Sequence, residues 1–129
     1  MDVRIYSDGG LNGQGAYGSF MITAEGDEKN HIVLSLEDHA VTAPEAELCT
    51  LMEALDYIKG IEAVVPGRCK WVIALDAKWL YEHLLAVEGE RQVAGKFVED
   101  IDLAKTLIGY YDVGISPISG QMMKQILGH

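Results

Sequence analysis

Three carboxylates stand where a carboxylate is costly. Asp8 directly follows Val3-Arg4-Ile5-Tyr6-Ser7, a segment rich in β-branched and aromatic residues, and precedes a glycine-rich stretch. Asp76 directly follows Trp71-Val72-Ile73-Ala74-Leu75, an almost unbroken apolar run of the kind found in strands buried on both faces. If those two strands pair, their terminal acids come side by side, and ligands of open α/β sheets gather at strand ends. An ionised group there costs free energy unless a cation or hydrogen bonds compensate it. Glu47 is the third acid. At about 100° of helical turn per residue it lies on the side of Leu51 and Ile58, whereas Glu45, Glu53 and Asp56 fall on the other. Singly, each has an ordinary use: an Asp caps the next turn, and a Glu in a first helical turn complements the helix dipole. Three acids meeting at one spot repel one another unless a metal joins them.

The elements that must position them read in the order β-β-β-α-β-α-α-β-α. Strands are expected at Val3–Ser7, Ala16–Thr23 and His31–Glu37, joined by the turn Asp8–Gly15 and a polar turn at Glu25–Asn30, which makes an antiparallel meander. A helix begins near Thr42, with Pro44 and Glu45 in its first turn, and carries Leu48, Leu51, Leu55 and Ile58 at helical spacing. Pro66 and Gly67 end it. The strand Trp71–Leu75 leads into a helix over Ala77–Val87, with Trp79, Leu80, His83, Leu84 and Val87 on one side. A loop bracketed by Gly89 and Gly95 precedes a helix through Phe97, Ile101, Ala104, Leu107 and Ile108. A weaker strand, Val113–Ile118, and a short amphipathic segment holding Met122, Met123, Ile126 and Leu127 complete the order.

A length of 129 residues, about half of them hydrophobic, suits one domain spanning 1–129 with a sizeable core. No apolar run is long enough to cross a bilayer as a helix, and no basic-then-apolar leader opens the sequence. Cys49 and Cys69 lack metal-ligand neighbours at a recognisable spacing, so two reduced thiols in a cytoplasmic protein are expected. The formal charge is −10. That weighs against tight phosphate binding, which needs Lys and Arg.

The acids and their flanks resemble the motifs of one family. Ile5-Tyr6-Ser7-Asp8-Gly9-Gly10, followed by Gly13, Gly15 and Gly18, resembles the first motif of ribonuclease H. Thr42-Ala43-Pro44-Glu45-Ala46-Glu47-Leu48, leading to Ala54-Leu55, resembles the second. Val72-Ile73-Ala74-Leu75-Asp76-Ala77-Lys78-Trp79-Leu80 resembles the third. The resemblance implies an α/β fold with a mixed five-stranded sheet, order 3-2-1-4-5, and helices on both faces. It also implies endonucleolytic cleavage of the RNA strand of an RNA–DNA hybrid, using two Mg²⁺ or Mn²⁺ ions. Asp8 would bridge both ions, and Glu47 and Asp76 would complete the site. Asn12 and Thr42 lie where the family contacts the nucleic-acid backbone. Lys78 is the preferred phosphate contact because it follows Asp76 so closely, with Lys70, Arg91, Lys96 and Lys124 as further candidates.

The sequence departs from the family pattern near its end. No Asp or Glu follows Asp112, so the fourth acid at the start of the last helix is missing. Gly120-Gln121 stands where the family commonly has Gly-His. Ala43 replaces an Asn of the backbone-binding pocket, and the basic, Trp-containing protrusion of some members is absent. The competing expectation is therefore a degenerate domain of the same fold that binds a nucleic acid or a protein without cutting.

Overall fold

β1 (Asp2–Asn12) and β2 (Gly15–Ala24) form an antiparallel hairpin closed by Gly13 and Gln14. The Asn12 side chain accepts a hydrogen bond from Gln14 N at 2.8 Å, and Gly15 takes a positive φ of 116°. Both are ordinary turn chemistry. β3 (Lys29–Ser35) pairs antiparallel with β2. The computed structural model describes residues 1–24, 29–36, 40–86 and 97–128. Residues 25–28 of the expected polar turn Glu25–Asn30, the loop at 87–96, Glu37, His39, Arg91, Lys96 and His129 lie outside them, whereas Lys29 and Asn30 of that turn begin β3.

α1 (Ala43–Val64) carries the chain across the sheet to β4 (Lys70–Leu75), which runs parallel to β1. After α2 (Lys78–Leu85) and α3 (Val98–Tyr110), β5 (Gly114–Pro117) adds a parallel edge beside β4, and α4 (Gly120–Leu127) closes the order. The sheet order is β3-β2-β1-β4-β5, the expected 3-2-1-4-5. α1 starts where the sequence signals it. Thr42 is its N-cap, accepting from Glu45 N at 3.3 Å and donating to Glu45 Oε1 at 2.8 Å. Pro44 sits in the first turn, where its missing N–H costs nothing.

One side of the sheet and the buried stripe of α1 make the core. Val3 and Ile5 of β1, Phe20 and Ile22 of β2, and Trp71 and Ile73 of β4 pack with Leu48, Leu51, Leu55 and Ile58. α3 adds Ile101 and Ala104, and α2 adds Leu80 and Leu84. α4 meets β1 and β2 through the buried Met123 and Leu127. One expectation needs correcting. β1 does not end at Ser7 but continues through Asp8, Gly9 and Gly10, which pair with Ser19, Gly18 and Tyr17. Asp8 therefore lies inside a strand. The glycines serve close packing there rather than a turn, as the site makes clear.

Candidate active site

β1 and β4 pair in parallel from Asp2 with Lys70 through Ser7 with Leu75. The next residue along each strand is an acid, Asp8 on one and Asp76 on the other. Val3, Ile5 and Ser7 are buried while Arg4, Tyr6 and Asp8 are not, so Asp8 sits on the side of β1 away from α1. The two acids emerge side by side, and their carboxyls share a hydrogen bond. Glu47 arrives from α1, and Gly9 is what lets it come so near. A Cβ at Gly9 would fall on the Ala46 carbonyl and lie 2.7 Å from Glu47 N. The backbones of β1 and α1 thus touch where Glu47 begins. Asp8, Glu47 and Asp76 line one small cleft with Ser7, Gly9, Ala77 and Leu80. Trp79, one turn into α2, donates from Nε1 to Glu47 Oε1 at 3.5 Å. Its ring lies 5.4 Å from that of Phe97.

The electrostatics follow from that crowding. Burial first, then the charge and hydrogen bond of Asp76, push the Asp8 pKa up to about 6; the Gly9 N–H and the charge of Lys124 act against the rise. Burial pushes Glu47 up to about 7; the Trp79 N–H opposes this, and the charges of Asp76 and Asp8 add to it. The Tyr17 hydroxyl is raised by burial and then by Asp8 and Asp76, which puts it within reach of the same field. The Ser7 hydroxyl, 3 % exposed, lines the cleft with no hydrogen-bond partner among the described residues.

Among the described residues, no three His, Cys, Asp or Glu side chains already stand in a ligating arrangement. Asp8 is turned to Asp76, and Glu47 to Trp79. The donor set nonetheless fits a hard divalent cation. It offers carboxylate oxygens only, and the reluctance of Asp8 and Glu47 to ionise is what a cation relieves. Loading the site means ionising Asp8 and Glu47.

The remaining expected residues fare differently. Asn12 is at the hairpin turn and Thr42 at the α1 N-cap, each engaged in local hydrogen bonds. Lys78 opens α2 and pairs with Glu82 at 3.6 Å, its side chain largely exposed. Lys70 begins β4 on the surface. His83 is structural, its Nδ1 lying 2.6 Å from Trp79 O. Met123 is buried and Met122 exposed. Trp79 and Tyr17 escaped the sequence reading as site residues. Trp79 fits the apolar stripe of its helix. Tyr17 becomes visible only through the register that sets it opposite Gly10, two residues beyond Asp8.

No protein-family model matches the sequence, and no curated protein matches it. Solved structures do. A ribonuclease H1 isolated from compost by a metagenomic approach superposes with a TM-score of 0.73 at 16% identity, over 96% of this chain and 89% of that one. The ribonuclease H1 of the halophilic archaeon Halobacterium salinarum gives 0.67 at 16% identity, over 96% and 90%. The compost enzyme in complex with an RNA/DNA hybrid gives 0.68 at 16% identity, over 95% and 89%. The chain has the ribonuclease H fold.

Proposed function

We propose that this chain is a metal-dependent endonuclease that hydrolyses the RNA strand of an RNA–DNA hybrid. The observation that carries the reading is the meeting of Asp8, Glu47 and Asp76 in one cleft at the end of the β1–β4 ladder. The structural likeness to ribonucleases H1, one of them in complex with RNA/DNA hybrid, supports the substrate class. Asp8, Glu47 and Asp76 would hold one Mg²⁺ or Mn²⁺. A second ion, the other half of a two-metal mechanism, would have Asp8 as its one acid and bind weakly. Bound ions would polarise the scissile phosphate and favour ionisation of water. The chain's own residues do the rest. Asp8 would serve either ion, Glu47 is held in place by Trp79, and Lys78 and the backbone near Asn12 and Thr42 would meet the hybrid. In the reaction, water oxygen bonds to phosphorus, the bond to the leaving ribose oxygen breaks, and that oxygen takes up a proton.

Two free cysteines, Cys49 and Cys69, accord with the cytoplasmic location we infer. A non-cutting binding domain is the second reading, favoured by the absence of any acid in α4. A labelled RNA–DNA hybrid decides between them. Cleavage should appear at high metal concentration, more with Mn²⁺ than Mg²⁺, since Mn²⁺ generally binds such sites more strongly. It should vanish in Asp8→Asn. An absence of cutting with either ion at high enzyme concentration, with the labelled hybrid still retained by the protein, would favour the binding domain instead.

A further inference from the structure

α4 carries no acid to the site, but it does carry a charge. Ser119 caps the helix, accepting from Met122 N at 3.1 Å. A Cβ on Gly120 would lie 3.5 Å from Asp76 Oδ2, so the first turn of α4 abuts that carboxylate. Four residues on, about 40° around the helix axis, is Lys124, on the same stripe. Met123 beside it is fully buried and anchors α4 to the sheet, where the helix meets β1 and β2. β1 presents Asp8 on that side.

We propose that Lys124 is the fixed cation of this site, standing beside the weak second-ion position, so that the protein free of hybrid holds one ion. The inference rests on the metal-dependent reading above. A Lys ammonium is a compact point charge on a flexible stem with three donors. Lys124 is exposed to solvent, hence to an arriving phosphate, one helical turn beyond the contact of Gly120 with Asp76. The missing acid and the lysine then belong together. An acid there would bind a second ion, and a lysine would repel it while supplying positive charge of its own. The lysine also offsets part of the acidity that opposes phosphate binding.

Calorimetric titration of the metal-free protein with MnCl₂ tests this without relying on turnover. The parent chain should bind one ion per molecule, and Asp8→Asn should bind none. Lys124→Met should bind that ion about tenfold more tightly, because a nearby like charge has gone. Lys59→Met makes the same charge change on a surface lined by Pro66 and Tyr110 and should match the parent. Lys124→Asp should bind two ions. Hybrid cleavage by Lys124→Met should fall although its metal is held more tightly. Two ions in the parent, or a Lys124→Met chain equal to Lys59→Met in affinity or in cleavage, overturns the role of Lys124 and leaves the metal reading standing. No binding by the parent, or undiminished binding by Asp8→Asn, overturns the metal reading and this inference with it.

Discussion

Asp8, inside β1, and Asp76, just past the end of β4, each follow the last paired rung of two parallel strands, Ser7 with Leu75, and meet through a shared hydrogen bond. Folding therefore raises the pKa of Asp8 to about 6, and that of the neighbouring Glu47 to about 7. Unfolded carboxyls titrate near pH 4. The folded state holds the protons more tightly, so this contribution to stability is fully present below about pH 4 and is lost as pH rises through 6 and 7. In metal-free protein, the melting temperature of the parent should fall relative to Glu47→Gln between about pH 4 and 8. Mn²⁺ should recover the loss at the upper end. A difference between the two chains that is flat over that range would contradict the assignment.

Trp79 is a positioning residue, since it acts through Glu47 Oε1. Trp79→Phe keeps an aromatic ring against Phe97 and deletes the N–H donor. Losses of this kind around metal ligands cost roughly 10–100-fold in metal affinity or activity. We expect a weakened Mn²⁺ affinity with little change in melting temperature. Trp79→Ala should lower both, because the ring contacts with Phe97 and His83 go as well. Equal metal affinity in the parent and Trp79→Phe would remove Trp79 from the site.

Gly9 is where helix and strand backbones touch. Gly9→Ala puts a methyl group onto the Ala46 carbonyl, which the helix can relieve only by moving off the strand. Such overpacking typically costs about 1–3 kcal/mol. Glu47 moves with the helix, so cleavage should fall further than stability does. Denaturant unfolding and the hybrid assay, run on one preparation, separate the two effects. Full activity with unchanged stability would show that the strand and helix approach is not tight.

Much of this was legible in residue types. Apolar runs that end in Asp, and a Glu on the apolar stripe of a helix, break the usual pattern, and the structure brings Asp8, Glu47 and Asp76 together. The strand order followed from the motif resemblance and stands. The extent of β1 was not legible. Gly9 and Gly10 read as a turn because glycine is a turn residue, whereas Gly9 is small so that α1 can pass. Nor does a sequence show which donor turns to which acid. Trp79 satisfies its helix stripe and also holds Glu47, and only the fold reveals the second role. Lys124 read as one of several candidate phosphate contacts, and its place beside the acids follows only from α4 packing over β1.

The parallel pairing of β1 with β4 also sets an order of events. β1, β2 and β3 join through short connections, so their pairing is local and closes early. The β1–β4 rungs join segments separated by the whole of α1, and contacts so distant in sequence are slow to form. Asp8 and Asp76 come together only with that slow closure. A chain still lacking it does not hold the two acids together for a divalent ion. The ion should therefore slow unfolding and leave the refolding rate nearly unchanged, as expected for an interaction made after the rate-limiting step. Stopped-flow unfolding with and without Mn²⁺ reads this directly. Faster refolding in the presence of the ion would place the meeting of the two strands before the barrier.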